Sequence, residues 1–238
     1  MDSEAVARAR VGDLRIVLTP SRPVPPEWLG ELASRDVLCL ASGGGQQAPL
    51  LAAAGARVVS FDLSEQQLAK DHAVADREGL ALRCVQGDMA DLSALPEAAF
   101  DLVFHPASNV FVPDVRPVWR GCHRLLRPGG ELLAGFVNPL VFLFDGAEAE
   151  ATGELVARHA LPYSDLHSLP PELLRAKMER GELLEWSHSL EAQIGGQLEA
   201  GFVLTGLYED RWFDDSWRLS NLAPIAIATR ARKPECPP

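Results

Sequence analysis

Asp36-Val37-Leu38-Cys39-Leu40-Ala41-Ser42-Gly43-Gly44-Gly45 reads as an apolar strand running into a glycine turn, and a helical pattern, Gln46 to Ala54, follows at once. Glycine has no Cβ and accepts positive φ, so backbone at such a turn can lie close to a ligand. The helix that follows aims its unpaired N–H groups and the positive end of its dipole at the same spot. Strand, glycine turn and helix start together make a seat for a nucleotide-like cofactor.

Outward from this junction, strands and helices alternate, as parallel βαβ units require. Arg57 to Phe61 forms a second strand that closes on Asp62. Ser64 and Gln67 have the spacing of a capping box, which opens a helix to Glu78, and Gly79 stops it. Ala81 to Gln86 is the third strand, ending in Gly87-Asp88-Met89, and Phe100 to Phe104 the fourth, ending in His105-Pro106. A helix over Asp114–Leu126 tolerates Pro117 because that residue falls in the first turn. Arg127-Pro128-Gly129-Gly130 terminates it, and Glu131 to Val137 is the fifth strand.

The alternation then breaks. Residues 138–187 show no clean strand and read as a helical insertion or lid within the domain, a usual role for a long irregular segment. A helix over Ser189–Ala200 and strands at Phe202–Tyr208 and Pro224–Thr229 complete the chain. At the other end, residues 1–35 read as a loose N-terminal cap segment. There Pro23-Val24-Pro25-Pro26 leads into a short helix, Glu27 to Ala33, whose Trp28 either covers the cofactor pocket or anchors an amphipathic helix. The whole, 1–238, is expected to be a single domain.

Composition narrows the function classes. Apolar residues make up 47% of the chain, enough for a substantial core, and the formal net charge is −11. Such a surface repels phosphate backbones, so no nucleic-acid partner is expected; the basic residues from Arg116 to Arg127 read as solvated helix charges. No apolar run reaches the roughly 18 residues needed to span a bilayer, and Met1 to Arg10 lacks the apolar stretch of a secretion signal. The cysteines, Cys39, Cys84, Cys122 and Cys236, have no pairing or zinc-type spacing, and the histidines are scattered. The expectation is a cytoplasmic protein with no metal and no membrane partner. The acids Glu209, Asp210, Asp214 and Asp215 read as a solvated loop.

Two cofactor classes can use the glycine turn. Gly43-Gly44-Gly45-Gln46-Gln47-Ala48 fits the dinucleotide pattern G-x-G-x-x-A, and Asp62 closes the second strand as a ribose-binding acid does. The later strand ends discriminate. Val37 to Gly45 resembles the first motif of the class I S-adenosylmethionine-dependent methyltransferases, and Val59-Ser60-Phe61-Asp62-Leu63-Ser64 the second. Gln86-Gly87-Asp88-Met89 with Asp91-Leu92 resembles the third, Phe100-Asp101-Leu102-Val103-Phe104 the fourth, and Leu125-Leu126-Arg127-Pro128-Gly129-Gly130-Glu131-Leu132 the fifth. The likeness is strongest to the ubiquinone- and menaquinone-biosynthesis-like branch, which methylates oxygen, nitrogen or carbon of small molecules.

The resemblance implies an α/β fold: a doubly wound, seven-stranded, mostly parallel sheet with an antiparallel last strand. It implies S-adenosyl-L-methionine as cofactor, S-adenosyl-L-homocysteine as product, and a small-molecule acceptor, with a homodimer left open. Gly43 and Gly45 then pass close to the cofactor's methionine part, Asp62 accepts from both ribose hydroxyls, Asp88 meets the adenine amino group and Met89 lies beside the ring. Ser42, Gly44, Gln46, Leu63, Gln67, Gly87 and His105 complete the expected cofactor set.

Two departures stand out: Cys39 occupies the place of the family's acid, and Ala41 that of its first glycine. They leave a non-catalytic cofactor binder as the alternative to an enzyme, with a nicotinamide oxidoreductase as a further one. If a general base is used, His105 at the end of the fourth strand and His188 at the start of the late helix are the expected catalytic residues, with Tyr163 and His167 of the insertion behind them.

Overall fold

Val37, Leu38, Cys39 and Leu40 are all sealed from solvent, the condition of a strand covered on both faces. The computed structural model, which describes residues 1–212 and 218–235, places them in β1 (Asp36–Leu40), an inner strand of the sheet. The other strands are β2 (Arg57–Asp62), β3 (Leu82–Gln86), β4 (Phe100–His105), β5 (Leu126–Val137), β6 (Val203–Asp210) and β7 (Ala226–Arg232). They hydrogen-bond in the order β3-β2-β1-β4-β5-β7-β6. β1 to β5 pair in parallel, and β7 runs antiparallel to both β5 and β6. This is the doubly wound sheet with an antiparallel last strand expected from the motifs.

Strand alternation sorts the core into two layers. Val37 and Cys39 join Leu102, Phe104 and Leu133 on one face, under α1 (Ser3–Arg10), α2 (Pro26–Leu29) and α3 (Gln47–Ala53). Leu38 and Leu40 join Val103, Leu132 and Ala134 on the other, where Trp119, Cys122 and Leu125 cover them. α4 (Glu65–Glu78) links β2 to β3, and α5 (Arg116–Leu125), with Pro117 in its first turn, links β4 to β5.

Three local features differ from the sequence reading. The opening is not loose: α1 is capped by Asp2, which accepts the Ala5 N–H at 2.7 Å, and buries Val6 and Ala9. Only two apolar residues mark its inner face, too few to show as a period. Trp28 stands against Tyr208 and Gly206 rather than over the glycine turn, its ring centroid 5.2 Å from the tyrosine's. Arg127-Pro128-Gly129-Gly130 is part of β5 itself, entered through a register shift between the Phe100–Leu126 and Leu102–Glu131 pairs.

That shift puts Arg127 at the amino ends of three strands. Its guanidinium lies 2.8 Å from Asp36 of β1 and 2.7 Å from Asp101 of β4, while Asp101 also accepts the Asp36 N–H at 2.8 Å. The pairs are partly solvated, which limits their worth. Arg127→Ala is expected to lower stability by about 1 kcal/mol in urea denaturation, and an unchanged midpoint would show that this clasp contributes nothing.

The segment after β5 carries a series of short helices. Asn138 caps a 3₁₀ turn, Pro139–Leu143, followed by α6 (Gly146–Thr152), α7 (Asp165–Ser168) and α8 (Pro171–Glu179). Beyond it comes a π-helical turn, Glu191–Gly195, which runs into α9 (Gly196–Glu199). Glu209 and Asp210 are not loop residues: they end β6, and the buried Asp210 carboxylate accepts the N–H groups of Ser21 and Arg22 at 2.9 Å, tying down the N-terminal segment. Asp214, Asp215 and Cys236 lie outside the described residues. Among the described residues no helix is long and apolar enough to cross a membrane.

Candidate cofactor site

The turn after β1 is held from below by two carboxylates. Asp62, the last residue of β2, accepts the Gly43 N–H on Oδ2 and the Ser64 N–H on Oδ1, each at 2.9 Å. Each oxygen keeps a further lone pair. A Cβ on Gly43 would stand 2.8 Å from Gln67 Cβ and 3.0 Å from Asp62 Oδ2, so only glycine lets the turn lie this close to α4. The capping box is half formed: Ser64 Oγ accepts the Gln67 N–H at 3.3 Å, but Asp62, not Gln67, takes the N–H of Ser64.

The second carboxylate is Asp71, absent from the sequence reading. It is fully buried, and it accepts the Gly45 N–H on one oxygen and the Ser60 hydroxyl on the other, both at 2.6 Å. Burial pushes its pKa up, against the pull of these hydrogen bonds. A signal existed: Leu68, Asp71 and Ala75 fall on one stripe of α4, so a charge sits on its apolar face. The Cys39 thiol lies near enough to feel it; burial first, then the Asp71 charge, drives that thiol far above its ordinary range, so it stays protonated.

Ala41 adopts φ 48°, a left-handed conformation that costs a residue with a Cβ about 1 kcal/mol. Ala41→Gly is therefore expected to stabilise the fold by about 1 kcal/mol, read as a rise in Tm of about 2–4 °C, and a fall in Tm would contradict this account.

A cavity of about 460 Å³ opens beyond the carboxyl ends of β1, β2 and β3. Gly43, Asp62, Leu63, Gln67, Gly87, Asp88 and Met89 of the expected set line it. Ala41, Phe61, Ser64, Ser108, Phe111 and Leu183 line it too and were not anticipated. The floor is Phe61, on which Gly87 rests so closely that a Cβ would fall 2.2 Å from the ring's Cζ. The apolar Phe111 comes from a short 3₁₀ turn, Asn109–Phe111, and Leu183 from a loop, and neither has a periodicity that points to a ligand.

The other expected residues lie elsewhere. Gly44 and Gly45 form the back of the turn, and Gln46 faces solvent. Ser42 is buried beneath the turn, where its hydroxyl meets the Cys39 thiol.

The two histidines expected as catalytic are packed away from the cavity. His105 is fully buried, with Nδ1 2.9 Å from the Leu40 carbonyl and Nε2 2.6 Å from the Asn109 side chain. Both ring nitrogens thus face acceptor oxygens, the Leu40 carbonyl and Asn109 Oδ1, and burial lowers the ring's pKa against the pull of these two contacts. The chain of buried amides continues from Asn109 to Gln193 at 2.9 Å, which fixes the wall after β4 to the π-helical turn. His188 Nε2 lies 2.9 Å from the Asn109 carbonyl, and burial lowers its pKa as well. Neither imidazole reaches the cavity, because the strand-end and helix-start positions that suggested a base are here positions of core packing. Tyr163 is likewise bonded within the insertion, and His167 is exposed on α7. Among the described residues no group of three His, Cys, Asp or Glu side chains is arranged to hold a metal ion.

A family model described as a methyltransferase domain matches residues 38–134, from β1 into β5. The protein of Bacillus subtilis (strain 168) called uncharacterized methyltransferase YbaJ is 47% identical over 211 residues, covering 89% of this chain and 82% of its own. The chain belongs to the class I S-adenosylmethionine-dependent methyltransferases. As such it is an enzyme whose cofactor is S-adenosylmethionine. This methyltransferase is also 28% identical over 208 residues to the ubiquinone biosynthesis O-methyltransferase of Xanthomonas oryzae pv. oryzae (strain PXO99A), with 86% and 78% of the two chains covered. Among solved structures, the S-adenosylmethionine dependent methyltransferase from Mesorhizobium loti superimposes with a TM-score of 0.67 at 20% identity, over 87% of this chain and 94% of that one. The [4+2]-cyclase SpnF does so with a TM-score of 0.61 at 17% identity, over 86% and 77%. These structures share the fold; the family rests on the sequence relative.

Proposed function

We propose that this methyltransferase holds S-adenosylmethionine in the cavity over Phe61 and transfers its methyl group to a small-molecule acceptor seated toward residues 138–187. The observation that carries the reading is the Asp62 carboxylate, which closes β2 at the cavity with a lone pair to spare on each oxygen. Ribose hydroxyls are the donors that such a carboxylate suits.

The remaining residues fit the same group. The volume suits a cofactor of this size, and Asp88 and Met89 border the far side. Gly43 brings its backbone to the cavity edge, where a side chain would collide with Asp62. When bound, the cofactor supplies an electrophilic sulfonium methyl group. What the protein adds is position and exclusion of water. Phe111 and Leu183 give the mouth an apolar rim, which supports reading residues 138–187 as a lid.

The non-catalytic alternative rested on Cys39 and Ala41. Asp71 weakens it, since a carboxylate from α4 holds the turn beside Cys39. The net charge of −11 favours a small molecule over nucleic acid as acceptor. A cytoplasmic setting agrees with the free thiols of Cys39, Cys84 and Cys122.

Calorimetric titration with S-adenosylmethionine, S-adenosylhomocysteine and NAD(H) tests the site. Both adenosyl compounds are expected to bind and NAD(H) not to. Binding of NAD(H) alone overturns the reading.

A further inference from the structure

The insertion contains a second cavity of about 260 Å³, separate from the one over Phe61. Its wall is aromatic: the rings of Phe142 and Tyr163 stand 5.3 Å apart at 32°, and His159 meets Tyr163 edge-on at 5.1 Å. Its charged lining groups are the carboxylates Asp145 and Glu185, and neither Lys nor Arg is among the described residues that line it. Two cations lie around it: Lys177 is shared between the buried Asp165 at 2.7 Å and Glu185 at 3.7 Å, and Arg158 pairs with Glu148 within electrostatic reach of Asp145, so the carboxylates Asp145, Glu148, Asp165 and Glu185 outnumber them. Tyr163 donates its hydroxyl to Asp165 at 2.7 Å, which leaves the ring electron-rich.

Aromatic faces in a setting of excess negative charge attract an organic cation, above all one with methyl groups on nitrogen, whose charge is spread over an apolar surface. A metal ion is a poor match, because the wall offers rings rather than a shell of oxygens. A neutral apolar guest leaves the excess negative charge unbalanced, since Asp145 caps the Glu148 N–H and Glu185 shares Lys177 with Asp165.

We propose that this cavity is the recognition site for an alkylammonium group, and that the methyl acceptor carries one. The proposal rests on the methyltransferase reading above. The two cavities are neighbours: Leu183 lines the first and Glu185 the second, two residues along one segment, which spans about 7 Å when extended. Trp186 ties that segment to the wall of the first cavity by donating its N–H to the Val110 carbonyl at 2.8 Å. One small molecule can therefore reach from one cavity into the other. An ammonium without a lone pair is not a nucleophile, so the group held here orients the acceptor while another atom of it accepts the methyl.

The test uses the full chain saturated with S-adenosylhomocysteine, titrated with choline and with its uncharged tert-butyl isostere, in which carbon replaces nitrogen. Choline is expected to bind about tenfold more tightly than the isostere. Glu185→Gln and Phe142→Leu should each weaken choline about fivefold while S-adenosylhomocysteine binding stays within about twofold, which also reports that the variants fold. Equal affinity for the two probes, no binding of choline, or choline binding untouched by both substitutions overturns the proposal. Failure of the wild-type chain to bind S-adenosylhomocysteine strikes instead at the methyltransferase reading, whatever choline does.

Discussion

Asp71→Ala is expected to lower the stability of the fold by about 2–5 kcal/mol, because it leaves the Gly45 N–H and the Ser60 hydroxyl without partners in a sealed site. In thermal denaturation a loss of that size is a fall in Tm of about 5–15 °C. Asp71→Asn is expected to cost under about 1 kcal/mol, since its amide oxygen still accepts from Gly45 and its NH₂ can donate to a rotated Ser60 hydroxyl. The pH dependence separates charge from hydrogen bonding. Burial raises the pKa of Asp71 in the folded state, so between its unfolded and folded values the native protein binds more protons than the unfolded chain. This group's contribution is therefore full below the ordinary carboxylate pKa and declines as pH rises through the raised one. The asparagine variant lacks that decline, so it should gain on the wild type as pH increases. If Asn destabilises as much as Ala at neutral pH, the ionised carboxylate itself is what the glycine turn needs.

The same residue marks where sequence reading stopped. The first strands were legible because each is an apolar run closing on distinct chemistry: Asp62 at the end of β2, Gly87-Asp88 after β3, His105 at the end of β4. Order along the chain then fixed the expected topology, and the sheet has it. Seven of the expected cofactor residues, including Asp62 and Gly43, line the cavity. What was not legible depends on contacts between elements distant in sequence. Asp71 meets Gly45 across 26 positions, and Asn109 meets Gln193 across 84; neither spacing has a local signature. His105 and His188 show the converse error. A histidine at a strand end looks like a base until its two nitrogens are seen to be taken by Leu40 and Asn109. The insertion was legible only as an interruption, because its cavity is assembled by folding Phe142, His159, Tyr163 and Glu185 together.

Asp62→Ala is expected to weaken S-adenosylhomocysteine binding by about 100-fold, close to 3 kcal/mol, through loss of charge-assisted hydrogen bonds to the ribose. Asp62→Asn keeps one carbonyl oxygen and should lose about tenfold. Stability should change far less than in Asp71→Ala. Asp62 is only partly buried at the cavity edge, so water can replace it at the Gly43 and Ser64 N–H groups. The two carboxylates hold different residues of one glycine turn, Asp62 Gly43 and Asp71 Gly45, and divide its work: Asp71 sets the fold of the turn, while Asp62 presents it to the ligand. Calorimetry on both variants separates these roles. Asp71→Asn should bind S-adenosylhomocysteine nearly as the wild type does, whereas Asp62→Ala should fold and show the weakened binding. An Asp62→Ala protein that binds as tightly as wild type would mean that the ribose lies elsewhere, and with it the cofactor.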